Sequence, residues 1–436
     1  MSSARISQAP LVIAGAAVLV AGLVITLFVA PLACGRKAES SDRVTRVADA
    51  TTTSSSTSTS SIAASASADT TAVLLIAAQP LNIPLIPCAS AILIEPSTNT
   101  ILYEQNARAL RAPASIVKMT LEMAVLDEIA AGRFALTDSI HVSAWASRIG
   151  GSQAYLAEGE VFSLEDLLKA IVVSSANDAC VAVAEHIAGS ADGFVSLMNQ
   201  EVERLGLTDT RYVNVHGLDD NPATGNVTTA YDIAQVGREL IRHPHVLEWS
   251  SIEKAPFRDG AFILENTNKL VGRFEGLDGL KTGYTAKAGF CLCATAERRD
   301  LRLISVVLGC ESNRDRFADT AELLSAGFNS YSRVDLARKG ADIKEELPIE
   351  GGEPELIRPV APRDVAALVS RIDERRLERR FVPRSNLRAP LRVGEEVGNV
   401  ELFVGDRVLA SYVVVSPTDV RKTGLMAWVS GLFSRN

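Results

Sequence analysis

Three short motifs that together could carry out chemistry fall in one order along this 436-residue chain: Ser115-Ile-Val-Lys118, Ser175-Ala-Asn177 and Lys281-Thr282-Gly283. A serine hydroxyl is a weak nucleophile until a base removes its proton. Residues three apart share a helix face, so Lys118 can bring its amine beside Ser115. To serve as base the amine must be partly neutral near pH 7, which burial and a second cation such as Lys281 would favour. A nucleophile at a helix start also gains from the N-terminal dipole. Ser175 and Asn177 are placed at a break between two predicted helices. There Ser175 can relay a proton to a leaving nitrogen, and Asn177 can bond both a substrate amide and Lys118. Lys281 and Thr282 suit a carboxylate, and Gly283 lets another backbone approach closely. The N–H of Tyr284 can join that of Ser115 as an oxyanion hole. Taken singly, the motifs read as solvated helix residues, a helix cap and a plain turn. Their joint occurrence points to acyl transfer on serine.

The elements that must position them are legible around each motif. Residues 90–94 and 101–103 read as strands about the turn 96–100. Pro113 precedes a long helix over 115–131 that Gly132 stops. Ser163-Leu-Glu-Asp166 forms an N-terminal cap for a helix through Val173, and a second helix runs over 177–188 to Gly189. Residues 289–296 and 301–309 make a hairpin, with the Lys281 strand at an edge just before it. Strands at both ends with helices between predict an α+β fold: an antiparallel sheet flanked by helices, with an all-helical subdomain. From about Val334 short apolar stretches alternate with Gly, Pro and charge, predicting a small β-rich domain over 334–420 after a catalytic domain over 73–333.

A net charge of −8 gives no basic face for nucleic acid. His141, His186, His243 and His245 lack metal-ligand spacing and no H-E-x-x-H occurs, which argues against a zinc hydrolase and leaves no metal expected. His216 reads as structural, since Lys118 fills the base role. Cys180 and Cys310 read as free thiols in apolar runs, and Cys291 and Cys293 as core filling on one strand face. The uncharged run 11–30 is long enough to span a bilayer. Residues 1–34 therefore read as a signal-anchor or signal peptide, and 35–72 as a Ser/Thr-rich tether. In the tail 421–436, Leu425, Trp428, Val429, Leu432 and Phe433 recur at helical spacing, as in a helix lying on a membrane interface.

The chain resembles the D-alanyl-D-alanine carboxypeptidases among the low-molecular-mass penicillin-binding proteins. The resemblance rests on Pro113-Ala-Ser115-Ile-Val-Lys118-Met, Ser175-Ala-Asn-Asp-Ala179, His216-Gly-Leu-Asp219, Asn266-Thr-Asn-Lys-Leu270, Asp278-Gly-Leu-Lys281-Thr-Gly-Tyr-Thr285 and Ala288-Gly-Phe290. It is close over 89–331 and looser over 334–420, with Val215 where the family usually has proline. It implies a penicillin-binding, β-lactamase-like transpeptidase fold. It also implies Ser115 as acyl nucleophile, Lys118 as base, Ser175 and Asn177 as relay and positioning groups, Lys281 for the substrate carboxylate and Arg316 close to it. No cofactor is implied. The expected partners are peptidoglycan stem peptides ending in D-Ala-D-Ala, β-lactams as acylating inhibitors, and a membrane. The expected location is the outer face of the bacterial cytoplasmic membrane. No E-x-x-L-N stretch offers the glutamate of class A β-lactamases. A D,D-endopeptidase or a catalytically silent wall-binding homologue remain the alternatives.

Overall fold

The computed structural model describes residues 72–75, 80–219 and 224–423. The apolar run 11–30, the tether through 71 and the tail beyond 423 lie outside the described residues. Among the described residues, no helix is long and apolar enough to cross a membrane.

Five antiparallel strands build the central sheet: β1 (Ser90–Glu95), β2 (Thr100–Gln105), β3 (Leu277–Thr285), β4 (Gly289–Arg298) and β5 (Leu301–Cys310), in the order β2-β1-β5-β4-β3. Both faces are covered. Ile92, Ile94, Ile304 and Val306 pack with the helices that follow β2, whereas Ala91, Leu93, Leu303 and Val307 pack with Leu323, Leu324 and Phe328. That double burial is why β1 is a continuous apolar run and does not alternate.

The helices of the first face are α1 (Lys118–Ala130), α2 (Leu164–Ser174), α3 (Asn177–Ala188), α4 (Ala191–Arg204), α5 (Ala230–Leu240) and α6 (Pro244–Ser250). The opposite face carries α7 (Asn313–Ser330). Side-chain caps start four of them. Ser163, Ser190, Thr229 and Ser312 each accept the N–H three residues on, at 3.0–3.1 Å. Gly189 ends α3 in the left-handed conformation. One helix starts differently from expectation. Residues Ala114–Val117 wind as a 3₁₀ turn, and α1 begins only at Lys118, because Ala114 stands at φ +48°, outside the helical region.

A β-rich region follows with an apolar core of its own, including Leu336, Ile349, Val369, Leu402 and Val414. It contains β6 (Tyr331–Ala337), β7 (Val365–Ser370), β8 (Glu378–Pro383), β9 (Glu396–Val404) and β10 (Arg407–Val415). β6 pairs antiparallel with β7, and the short strand Ala72–Leu75 pairs parallel with β7 on its other side. β6 therefore runs straight through residue 334.

Cys310 is not a free thiol. It forms a disulfide with Cys88, joining the end of β5 to the chain entering β1 across a sequence separation of 222. Sequence reading misses it because the two thiols meet only through the β1–β5 pairing. The Asp319 carboxyl lies 3.0 Å from Cys88 Sγ, and burial, reinforced by Asp315 and Glu322, pushes its pKa up to about 6. Cys180, Cys291 and Cys293 are buried free thiols, as expected. Because so long a loop is closed, the Cys88→Ser/Cys310→Ser double variant is expected to lose about 2–5 kcal/mol of stability. Thermal melting without reductant checks this; an unchanged transition would show that strand pairing alone holds this end.

Candidate active site

The three motifs, far apart in sequence, converge at one end of the sheet's helical face. Lys118, 1 % exposed, is the hub. Its Nζ lies 3.0 Å from Ser115 Oγ, 3.1 Å from Ser175 Oγ, 2.8 Å from the Ser175 carbonyl and 2.6 Å from Asn177 Oδ1. Four acceptors surround a nitrogen that has at most three protons to give, so the amine is held in place whatever its charge. Burial lowers its pKa to about 8, partly offset by Cys180 and Asp178. The second cation expected to help is felt elsewhere: Lys118 lowers Lys281, after burial of Lys281 itself.

Each partner is fixed by its own element. Ser175 ends α2 at φ +64°, which turns the chain so that Asn177 can begin α3. Asn177 Nδ2 donates to the Gly150 carbonyl at 2.6 Å, and its backbone N–H donates to the Ser152 carbonyl at 2.7 Å. The next residue, Asp178, accepts from the N–H groups of Ala154 and Leu156, both at 3.0 Å. The loop over 150–156 is thereby pinned to the second motif.

Lys281, Thr282 and Gly283 lie on β3, the sheet's edge strand, as expected. Lys281 and Thr282 are buried, Lys281 Nζ donating to the Thr282 carbonyl at 3.0 Å. Thr282 Oγ1 donates to Thr267 Oγ1 at 2.7 Å. A Cβ added at Gly283 would stand 3.1 Å from the Ser115 nitrogen, so only glycine lets this strand lie against the nucleophile's turn. Tyr284 is exposed and its ring stacks on Phe290 at 4.2 Å. Arg316 reaches the strand from α7. Its Nη1 donates to the carbonyls of Gly283 at 3.0 Å and Cys291 at 3.4 Å, and burial lowers its pKa to about 10.

Two of the quoted motifs carry contacts that the sequence alone does not assign. Gly217, at φ +88°, is packed directly against the Ala114–Ser115 peptide, and the adjacent His216 carbonyl is 3.4 Å from Ser115 Oγ. Asn266 and Asn268 tie the loop before β3 to its surroundings: Asn266 Nδ2 donates to the carbonyls of Ser250 and Ile252, and Asn268 Nδ2 to that of Gly279. The motif Asn266-Thr-Asn268 signals this in sequence, but not what it holds.

The family of D-alanyl-D-alanine carboxypeptidases matches residues 77–312, and the C-terminal domain of penicillin-binding protein 5 matches residues 331–422. The chain is 31% identical over 344 residues to the D-alanyl-D-alanine carboxypeptidase DacF of Bacillus subtilis, covering 78% of this chain and 87% of that one. It superposes on penicillin-binding protein 5 from Haemophilus influenzae with a TM-score of 0.66 at 29% identity, over 78% of this chain and 99% of that one. It also superposes on penicillin-binding protein D2 from Listeria monocytogenes in its ampicillin-bound form, with a TM-score of 0.52 at 34% identity, over 57% of this chain and all of the other. With its serine, lysine and edge strand gathered at one site and both of its domains matched, the chain belongs to the D-alanyl-D-alanine carboxypeptidases, a family of serine peptidases.

Proposed function

We propose that Ser115 is the acyl nucleophile of this carboxypeptidase and Lys118 its base, acting on the terminal D-alanine of peptidoglycan pentapeptide stems. The observation that carries the reading is the position of one buried amine, 3.0 Å from Ser115 Oγ and 3.1 Å from Ser175 Oγ. In its neutral form Lys118 takes the Ser115 proton as Oγ attacks the penultimate D-alanine carbonyl. The N–H groups of Ser115 and Tyr284 receive the developing oxyanion. Ser175 passes a proton from Lys118 to the departing D-alanine amine, and water then releases the shortened stem from Ser115. Asn177 keeps Lys118 aimed and binds the substrate backbone. Lys281 and Thr282 hold the terminal carboxylate, Gly283 lets the strand lie close, and Arg316 adds positive charge from behind.

β-Lactams, which carry a carboxylate beside a strained amide, fit the same groups and acylate Ser115. The enzyme works outside the bacterial cytoplasmic membrane, held there by its apolar N-terminal run, its amphipathic tail or both. The Cys88–Cys310 disulfide suits that oxidising side.

Labelled benzylpenicillin followed by peptide mass spectrometry is expected to place one adduct on Ser115, and purified pentapeptide is expected to release D-alanine. An adduct elsewhere, or none, would sink the assignment of the nucleophile. Release from cross-linked dimers in preference to monomers would make the enzyme an endopeptidase.

A further inference from the structure

The chemistry at Ser115 gives the substrate a direction. Its terminal carboxylate lies against Lys281 and Thr282, and the oxyanion of the scissile carbonyl lies at the Tyr284 N–H. The rest of the stem therefore runs along the edge of β3 past Tyr284, toward the turn that joins β3 to β4. An edge strand offers unpaired backbone groups to such a chain. An extended peptide advances about 3.3–3.6 Å per residue, so the third residue of the stem falls beside the 285–286 segment.

A groove of about 480 Å³ opens there, with Tyr284 and Ala286 in its lining. Much of the rest of the lining is small, including Ala288, Gly289 and Gly309. A Cβ on Gly309, which stands at φ +68°, would meet Ala89 Cβ at 2.9 Å, so this wall cannot carry a larger side chain. Three charged residues line the groove: Arg111, Lys287 and Glu311. Arg111 is half-buried and held in place. Its backbone exchanges hydrogen bonds with Thr228 at 2.8 and 2.9 Å, and its Nε donates to Ser90 Oγ at 3.2 Å. Lys287 is exposed at the turn, and its Nζ lies 3.5 Å from where a Cβ on Gly225 would stand. Both cations thus border the same 225–228 segment. Glu311 is exposed at the end of β5, and among the described residues neither it nor Lys287 is paired with an opposite charge.

We propose that this groove is the subsite for the third residue of the stem, and that it selects a side chain ending in both an amine and a carboxylate, as in a diamino diacid, over one ending in an amine alone, as in lysine. Arg111 and Lys287 receive the carboxylate, and Glu311 receives the amine. The proposal rests on the reading of Ser115, Lys281 and Tyr284 given above, which sets the direction of the stem. Two cations and one anion match the charges of such a zwitterionic end. A lysine end answers Glu311 but brings its ammonium toward Arg111 and Lys287 with no anion for them. Because Lys287 and Glu311 are exposed to water, each contact is worth a modest factor in rate.

The test uses two pentapeptides that differ only at the third residue, meso-diaminopimelate or L-lysine, and reads the ratio of their kcat/KM values for D-alanine release. Wild type is expected to favour the diaminopimelate peptide about tenfold. Lys287→Gln is expected to lower that ratio to about threefold, Lys287→Glu to bring it to about one or below, and Lys287→Arg to keep it. Arg111→Gln should lower it as well; because Arg111 also bonds Ser90, the exposed Lys287 carries the test if that variant fails to fold. A wild type without preference, or a ratio unmoved in Lys287→Glu, overturns the proposal. So does an equal loss on both peptides, which would place the cations on a carboxylate common to the two stems. Benzylpenicillin brings no charged side chain into the groove, so its acylation rate reports on Ser115 separately. A Lys287 variant that loses it in step with peptide turnover would act on the nucleophile and not on the third residue, again overturning the proposal. Absence of wild-type labelling would instead overturn the assignment of Ser115.

Discussion

Lys118→Met is expected to slow acylation of Ser115, by pentapeptide and by benzylpenicillin alike, on the order of 10³–10⁴-fold without lowering the melting temperature by more than a few degrees. The rate loss follows because, among the described residues, Lys118 is the titratable amine within bonding distance of both hydroxyls; Lys281 Nζ is committed to the Thr282 carbonyl. The tolerance of the fold follows from opposing terms. A lysine depressed from 10.5 to about 8 binds its proton less tightly in the folded chain than in the unfolded one. The resulting cost, about 3 kcal/mol, is present in full below pH 8 and fades as the pH rises toward 10.5. Methionine removes it. Against that gain, the Ser175 carbonyl and Asn177 Oδ1 lose their shared donor, at about 1–3 kcal/mol each. Acylation by wild type should therefore climb with pH toward about 8 as the amine becomes neutral, and the variant should show no such climb. Stopped-flow acylation across that range, with calorimetric melting, checks both halves. A variant that acylates within tenfold of wild type would remove Lys118 from the base role.

Much of this site was legible because its chemistry is local in sequence. Ser115 and Lys118 meet through helical spacing, and Ser175 and Asn177 through one break between helices. The edge position of Lys281 follows from the hairpin after it. What escaped is what depends on contacts between distant segments. The disulfide joins residues 222 apart. The α-helix expected from Ser115 starts three residues late, because tertiary contacts hold Ala114 at a positive φ that no propensity predicts for alanine. The work of Gly217 was not legible, since the Ala114–Ser115 peptide it meets lies about a hundred residues earlier.

Gly217→Ala is accordingly expected to reduce acylation by about 10²–10³-fold although residue 217 touches no substrate. A Cβ here would clash with the Ala114 carbonyl group and stand 2.9 Å from the Ser115 nitrogen. These are backbone atoms and cannot swing aside as a side-chain end would. Alanine at φ +88° also carries its own penalty, about 1–2 kcal/mol. The cheapest relief is to push the 114–115 peptide away, and that peptide carries the N–H assigned to the oxyanion. Gly283 lies against the same turn: a methyl group there would stand 2.8 Å from the Pro113 carbonyl oxygen and 3.1 Å from Ala114 Cβ. The turn is thus in close contact with β3 as well as with Gly217. Ser115 Oγ and Lys118 Nζ should then remain near each other while the oxyanion donors lose their alignment. Loss concentrated in the acylation rate constant, with melting lowered by only a few degrees, would mark displaced donors. Wild-type acylation in a folded Gly217→Ala protein would show that the 114–115 peptide is free to yield, and that its strained φ plays no part in catalysis.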